Sequence, residues 1–364
     1  MGICFSTPVC GIKIEDHVAY YGASKLGRPL VYGHRGGSKK YPENTIQAFE
    51  DARVNGADGC ELDVFLTKDK VIVCIHDDTT GRLLDGPDVK VVDSKWKGDL
   101  ENRKHKTTLK YDRAELTFDA AYPISLLEDV FKAFKGKQSK SGLPFILNVE
   151  LKPVTPSLVN SKVGTHVAHL IRKCGMEAQV TVVAFDPLKL LQVERAYAGL
   201  HTGWQYDDDL PGLGKALGNA NTWFNEPQLG NESEFTRDRE GIRRFLMENS
   251  VLDRAIGATI VDLEHTVCDD NTIQKFHDKK FAVGCFAFFP TDLSAVHNKP
   301  PADAEGAYQH SKNILRQVMK RKVNWIETDS VELSLKAIAE INEEFKAEAA
   351  AGAPAPAIFF PMRG

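Results

Sequence analysis

Short apolar runs alternate with longer stretches of mixed polarity along most of this 364-residue chain. Runs rich in Val, Ile, Leu and Phe predict strands at Leu30–His34, Cys60–Phe65, Phe145–Glu150, Val180–Phe185, His201–Tyr206, Ala258–Leu263, Phe281–Phe288 and Val323–Thr328. Helical stretches fall between most of them, at Thr45–Asn55, Leu126–Phe134, Lys162–Cys174, Pro187–Tyr197, Gly241–Glu248, Asn271–Asp278 and Ser311–Lys320. A final helix is expected from Val331 to Ala349. Eight strand–helix alternations argue for a (β/α)8 TIM barrel, with a doubly wound open sheet as the alternative.

The second strand has a return arm. The runs Cys60–Leu66 and Val71–Ile75 are separated only by Thr67-Lys68-Asp69-Lys70. That is too short for a parallel crossover, so the two form an antiparallel hairpin. A symmetric turn places Phe65 opposite Ile72, Asp63 opposite Cys74 and Glu61 opposite His76, with a one-residue slip as the alternative because Lys70 stands where a turn glycine is more usual. Because strand side chains alternate, Glu61 and Asp63 project from the same face. Two adjacent buried carboxylates require a cation between them or a shared proton.

The remaining organisation divides into a lead over 1–29, a barrel over 30–335, and a C-terminal helix and tail over 336–364. Two stretches inside the barrel exceed ordinary loop length, at about 77–122 and 207–240, the latter carrying Trp223 and Phe224. After strand ends they are expected to be lids or substrate walls, or plain surface insertions. The Ala/Pro-rich stretch after the last helix reads as an extended linker before Phe359-Phe360.

Composition narrows the function classes. A net charge of −4 gives no electrostatic case for nucleic acid. No run is long and apolar enough for a transmembrane helix, and the N-terminus lacks the basic and apolar regions of a secretory signal. Seven cysteines at irregular spacing form neither a disulfide framework nor a zinc pattern, which suits a reducing, cytoplasmic setting. Gly2 and Ser6 fit the N-myristoylation pattern, and Cys4 is placed for palmitoylation. Two acyl groups would tether the chain to the cytoplasmic face of a membrane, where one binds only marginally.

Barrel chemistry gathers at the C-terminal ends of the strands. Those ends carry Gly33-His34-Arg35-Gly36, then Pro42-Glu43-Asn44-Thr45, Glu61 and Asp63, His76, Asn148-Val149-Glu150-Leu151-Lys152, and Glu327-Thr328-Asp329. So many charges at one mouth destabilise a fold unless a cation and an anion complete the site.

In this order, His-Arg-Gly, Pro-Glu-Asn-Thr, Glu-x-Asp, the Thr67–Asp69 turn, His76-Asp77, Glu-Leu-Lys and the terminal Thr-Asp resemble the glycerophosphodiester phosphodiesterase family. Pro123-Ile124-Ser125-Leu126-Leu127-Glu128 also resembles that family, and the likeness runs from about Leu30 to Leu335. It implies a TIM barrel with an inserted segment, one divalent cation, and hydrolysis of glycerophosphodiesters to glycerol 3-phosphate and an alcohol. By the same resemblance His34 and His76 are the acid–base pair, and Glu61, Asp63 and Glu150 hold the cation. Arg35 contacts phosphate with Lys152 close by, and Glu43 and Asn44 shape the mouth. Oxygen ligands suit Mg2+ or Ca2+. Which histidine is acid and which base stays open, as does whether water or the glycerol 2-hydroxyl attacks.

Two departures bear on specificity and register. The hairpin turn reads Asp69-Lys70 where the family often has Asp-Gly, and Phe286-Ala287-Phe288-Phe289 stands where it has a Trp-Thr-x-Asn-like segment. Phe286 keeps an aromatic wall while the polar neighbours are lost, which favours a more apolar substrate. Two further readings compete. One is a membrane-associated lysophospholipase D acting on lysophospholipids; the other is a barrel without catalysis serving as a binding module.

Overall fold

The computed structural model describes residues 17–153, 162–207, 246–247, 249–291 and 298–351. The strands are β1 (Leu30–Gly33), β2 (Gly59–Leu66), β3 (Ile72–Cys74), β4 (Thr108–Lys110), β5 (Glu115–Thr117) and β6 (Ser125–Leu126). They continue as β7 (Ile146–Leu151), β8 (Val180–Ala184), β9 (His201–Tyr206), β10 (Ile260–Glu264), β11 (Ala282–Phe288) and β12 (Trp325–Thr328). Eight of these, β1, β2 and β7 to β12, run parallel in sequence order. β1 pairs with β2 through Tyr32↔Gly59 and with β12 through Leu30↔Trp325. That double pairing closes the sheet into a (β/α)8 barrel and excludes the open doubly wound alternative.

Helices α1 (Val18–Leu26), α2 (Ile46–Val54), α3 (Leu127–Phe134), α4 (Val163–Cys174), α5 (Pro187–Ala196), α6 (Val251–Ile256), α7 (Asp270–Asp278), α8 (Ala304–Lys320) and α9 (Val331–Ala350) accompany the strands. Their starts follow side-chain capping. Thr45, Asp186, Asp303 and Ser330 each accept a backbone N–H of the first turn, and Pro187 opens α5 where its missing N–H costs nothing. The cap at Asp303 starts α8 seven residues before the expected Ser311. α9 buries Ile338, Ile341 and Phe345 in the main core, so the helix belongs to the barrel and a domain boundary at 335 cuts through it. No helix among the described residues is long and apolar enough to cross a membrane.

The lead expected over 1–29 is not all lead: its second half is helix α1. Val18, Ala19 and Tyr20 pack with Leu30, Ile146, Val183, Ile260 and Trp325 at the N-terminal end of the strands, closing the barrel floor. Trp325 fills this floor because Gly284 faces it; a Cβ there would lie 2.2 Å from the indole. The opposite end of the barrel is polar.

The hairpin register differs from expectation by one residue. Val64 faces Cys74, Phe65 faces Val73 and Leu66 faces Ile72. Thr67 N–H donates to Val71 C=O, leaving Lys68-Asp69-Lys70 as a three-residue loop. Lys70 adopts φ 69, the left-handed position that ends such a loop and adds one residue to it. Glu61 is therefore not opposite His76. β3 ends at Cys74, and the chain leaves the ladder before His76 reaches the mouth.

The segment at about 77–122 is a packed unit rather than a bare loop. Leu83, Leu84, Val91, Leu100, Leu109 and Phe118 form a second core with Phe65, Val73 and Ile75 of the hairpin. The β4–β5 hairpin belongs to it, and Arg113 at its tip donates its N–H to Thr291 C=O at 3.1 Å, reaching the loop after β11. Nearly all of the 207–240 stretch, with Trp223 and Phe224, lies outside the described residues. So do Gly2, Cys4, most of the Gly241–Glu248 helix, and the Ala/Pro tail.

Candidate active site

Parallel register brings the acidic residues together. Glu61 pairs with Asn148 and Asp63 with Glu150 across β2 and β7, so their side chains share the barrel interior. Oxygens of Glu61, Asp63 and Glu150 lie within 4.8 Å of one another, all buried. Glu61 Oε1 is buried with no hydrogen-bond partner. An orphaned carboxylate oxygen beside two others is a donor set of the hard-oxygen kind that a divalent cation takes, so these residues fit the ion that the resemblance implies.

Lys152 brings a positive charge to this cluster. Its Nζ donates to Glu150 Oε1 at 2.7 Å and lies 2.9 Å from Asp63 Oδ1, an ion pair off the angle of a hydrogen bond. Burial opposes ionisation of Asp63, yet Lys152, His76 and Arg35 outweigh it and hold the carboxyl below its usual range. Glu61 is the reverse case. Burial, then the charges of Asp63, Glu327 and Glu150, push its carboxyl well above the usual range.

β1 ends in a tight turn that places two functional groups. Arg35 takes φ 51, and its backbone N–H donates to Glu61 Oε2 at 2.9 Å. The Arg35 guanidinium lies 3.3 Å from Glu43 Oε1 and 3.6 Å from Asp63 Oδ2. His34 Nδ1 sits 2.6 Å from Asp329 Oδ1, while its Nε2 turns toward Glu61 Oε2 at 3.9 Å. Asp329 Oδ2 in turn accepts the Thr291 N–H at 2.6 Å. His76 repeats the arrangement, with Nδ1 2.8 Å from Asp77 Oδ1. Burial, together with the charges of Arg35 and Lys152, lowers the His76 imidazole below its usual range.

A carboxylate on Nδ1 selects the tautomer with the proton there and leaves Nε2 for chemistry. Both histidines thus carry the same orientation device beside the acidic cluster. Two oriented imidazoles, a guanidinium and an ammonium around a cation-competent cluster are suited to hydrolysis of a phosphoric ester.

The other expected residues fall at the same mouth in different roles. Asn44, fully buried at φ 60, donates Nδ2–H to Asp63 Oδ2 at 2.7 Å and accepts the Asp63 N–H at 3.0 Å. Glu43 has both oxygens engaged, by Arg35, by Arg82 at 2.9 and 3.0 Å, and by the Tyr111 hydroxyl at 2.6 Å. Burial opposes its ionisation, but Arg35 and Arg82 hold its carboxyl down to about 2. Phe286 is half-buried at the end of β11 with its ring edge-on to Phe185, centroids 6.1 Å apart.

Neither Arg82 nor Tyr111 stands out in the sequence, where Asp329 is marked as a strand end and as part of the terminal Thr-Asp, without a role. Arg82 sits inside the insertion, where no periodicity marks it. Its signal was the acidic surplus at the mouth, which Arg35 and Lys152 alone leave unbalanced.

The sequence profile of the Glycerophosphoryl diester phosphodiesterase family matches residues 34–251, more than half of the chain. The chain belongs to that family. A "Glycerophosphodiester phosphodiesterase" of Caldanaerobacter subterraneus subsp. tengcongensis is 30% identical over 179 residues, 49% of this chain and 67% of that protein. One from Bacillus altitudinis is 35% identical over 124 residues, but the match spans only 34% of this chain and 44% of the relative. A putative glycerophosphoryl diester phosphodiesterase from Silicibacter pomeroyi shares the fold, with TM-score 0.59 at 16% identity over 86% of this chain and 94% of that one. So does an Oleispira antarctica phosphodiesterase solved in complex with the product sn-glycerol-3-phosphate, with TM-score 0.53 at 15% identity over 85% and 97%. These relatives are phosphoric diester hydrolases, and this family member carries its charged residues at the same end of the barrel where such chemistry is built.

Proposed function

We propose that the chain hydrolyses glycerophosphodiesters to glycerol 3-phosphate and an alcohol, with His34 and His76 as the acid–base pair. The observation that carries this reading is the matched pair of imidazoles, each with Nδ1 on a carboxylate, beside the Glu61–Asp63–Glu150 cluster. Glu61, Asp63 and Glu150 would hold one divalent cation, Mg2+ or Ca2+, which when bound supplies Lewis-acid neutralisation of charge on the phosphoryl oxygens. Arg35 and Lys152 orient the phosphate and add to that neutralisation. One histidine takes the proton of the attacking hydroxyl or water through Nε2, and the other returns a proton to the departing alkoxide.

Lysophospholipids are the second substrate class in view. The Phe185–Phe286 pair supplies an apolar wall that favours them. Acylation at Gly2 and Cys4 would favour membrane work on the cytoplasmic face, and those residues lie outside the described part. A non-catalytic binding module has less support, because every charged group that the acid–base reading needs is in place.

The test is release of choline from glycerophosphocholine and from lysophosphatidylcholine, with Mg2+ or Ca2+ added and then chelated. Metal-dependent turnover of glycerophosphocholine that is lost in His34→Ala and His76→Ala is expected. Full activity in either variant removes the histidine assignment, and an inactive wild type with both metals favours the binding module.

A further inference from the structure

A chain of charged contacts joins the two halves of the mouth through a residue of the insertion. Arg82 donates Nε–H to Asp77 Oδ2 at 2.7 Å and Nη2–H to Asp77 Oδ1 at 2.8 Å, a two-point grip on the carboxylate that holds His76. The same guanidinium donates Nη1–H to Glu43 Oε2 at 3.0 Å and Nη2–H to Glu43 Oε1 at 2.9 Å. Glu43 is the carboxylate against which Arg35 Nη1 rests at 3.3 Å. Tyr111, from the loop between β4 and β5, closes the arrangement by donating to Glu43 Oε2 at 2.6 Å, with the Arg82 guanidinium 5.6 Å from its ring centre.

We propose that Arg82 is a positioning residue: a fork that holds His76 in place by bracing Asp77 against Glu43, and through which the inserted segment assembles the mouth. The inference rests on the acid–base reading of His76 given above.

The geometry excludes simpler roles. Among the described residues, the hydrogen bonds of Arg82 all go to two carboxylates, so its charge is already matched and is not on offer to a phosphate. A single ion pair fixes charge without fixing angle. Bidentate contact to two carboxylates at once has a different consequence, since it sets angles as well as charge. Lysine matches the charge but not the planar fork. Removing the fork leaves Asp77 free to turn, and His76 with it, whereas Arg35 keeps its contact with Asp63 and its backbone N–H on Glu61. A displacement of about 1 Å at a reacting group costs roughly 10²-fold in rate. Binding of the phosphate, which belongs to Arg35, Lys152 and the cluster, changes far less.

The experiment compares Arg82→Lys and Arg82→Met with wild type, using kcat and KM on glycerophosphocholine, the inhibition constant of glycerol 3-phosphate, and thermal melting. Arg82→Met is expected to lose roughly 10²-fold in kcat and Arg82→Lys clearly more than about threefold, both with inhibition constants within about threefold of wild type. Lysine should recover part of the loss relative to methionine. Should Arg82→Met fail to fold, Arg82→Lys keeps the charge balance and decides alone. A kcat of Arg82→Lys within about threefold of wild type overturns the proposal. So does a loss that appears equally in the inhibition constant, which would make Arg82 a phosphate ligand. An inactive wild type, or an active His76→Ala, instead removes the underlying acid–base reading, so the two failures are distinguishable.

Discussion

The imidazole of His34, at the end of the first barrel strand, and the carboxylate of Asp329, just after the last, meet at 2.6 Å across the barrel closure. Asp329 is itself tied down by the Thr291 N–H at 2.6 Å. The imidazole proposed for acid–base work is thus aimed by a residue 295 positions away in the chain. Asp329→Asn keeps the shape but removes the charge that selects the Nδ1–H tautomer. A fall in kcat of about 10²-fold or more is expected, with little change in melting temperature. Steady-state kinetics on glycerophosphocholine check this; a change below about threefold would leave Asp329 a structural residue.

The carboxylate cluster makes a binding prediction independent of turnover. A cation present at about 100 times its Kd stabilises the folded chain by about 2.7 kcal/mol. Mg2+ or Ca2+ is therefore expected to raise the melting temperature of wild type, and to do so much less in Glu150→Gln or Asp63→Asn. Titration calorimetry on the same three proteins supplies the second readout. An unchanged metal response in both variants would place the ion elsewhere.

Three histidines outside the carboxylate cluster predict acid sensitivity. Burial holds His17 down to about 3, with the neighbouring His201 adding to it, and burial holds His105 and His277 down to about 4. A base whose folded pKa is depressed is neutral in the fold and becomes protonated in the unfolded chain first. Stability from this source is complete above about 6.5 and is lost as the pH falls toward 4, at roughly 1.4 kcal/mol per pH unit for each proton difference. Denaturant midpoints between pH 7.5 and 4.5 should show that decline, and His105→Gln should make it shallower. An equally steep decline in the variant would assign the sensitivity to other groups.

Lys70 offers a local test of the hairpin register. It holds φ 69, where an L-residue is strained by roughly 1–2 kcal/mol and glycine is not. Against the backbone entropy that glycine costs, Lys70→Gly is expected to stabilise by up to about 1 kcal/mol. Urea midpoints measure it. A destabilised variant would show that the lysine side chain itself supports the turn.

The fold was largely legible in the sequence, because parallel barrel strands are buried on both faces and read as continuous apolar runs between helical patterns. The mouth was legible too. Strand periodicity alone put Glu61 beside Asp63, and Asn148 with Glu150 and Lys152, on common faces. Two features escaped. Helix α1 is short, and its pattern does not announce that it closes the barrel floor. The hairpin register depended on one backbone dihedral at Lys70, and a residue type does not specify that by itself.

The sequence by itself determined which side chains line each strand face and which strand ends carry charge, since those follow from chain periodicity. Tertiary structure alone decided who meets whom. Asp63 lies next to Glu150 because β2 and β7 pair in that register, and Asp329 reaches His34 because the barrel closes. Arg82 joins Asp77 to Glu43 because the insertion folds on its own small core over the mouth. The physical reason is range. Propensity and periodicity act over a few residues, whereas an ion pair or a cation site is specified only when packing brings distant carboxylates within a few ångströms.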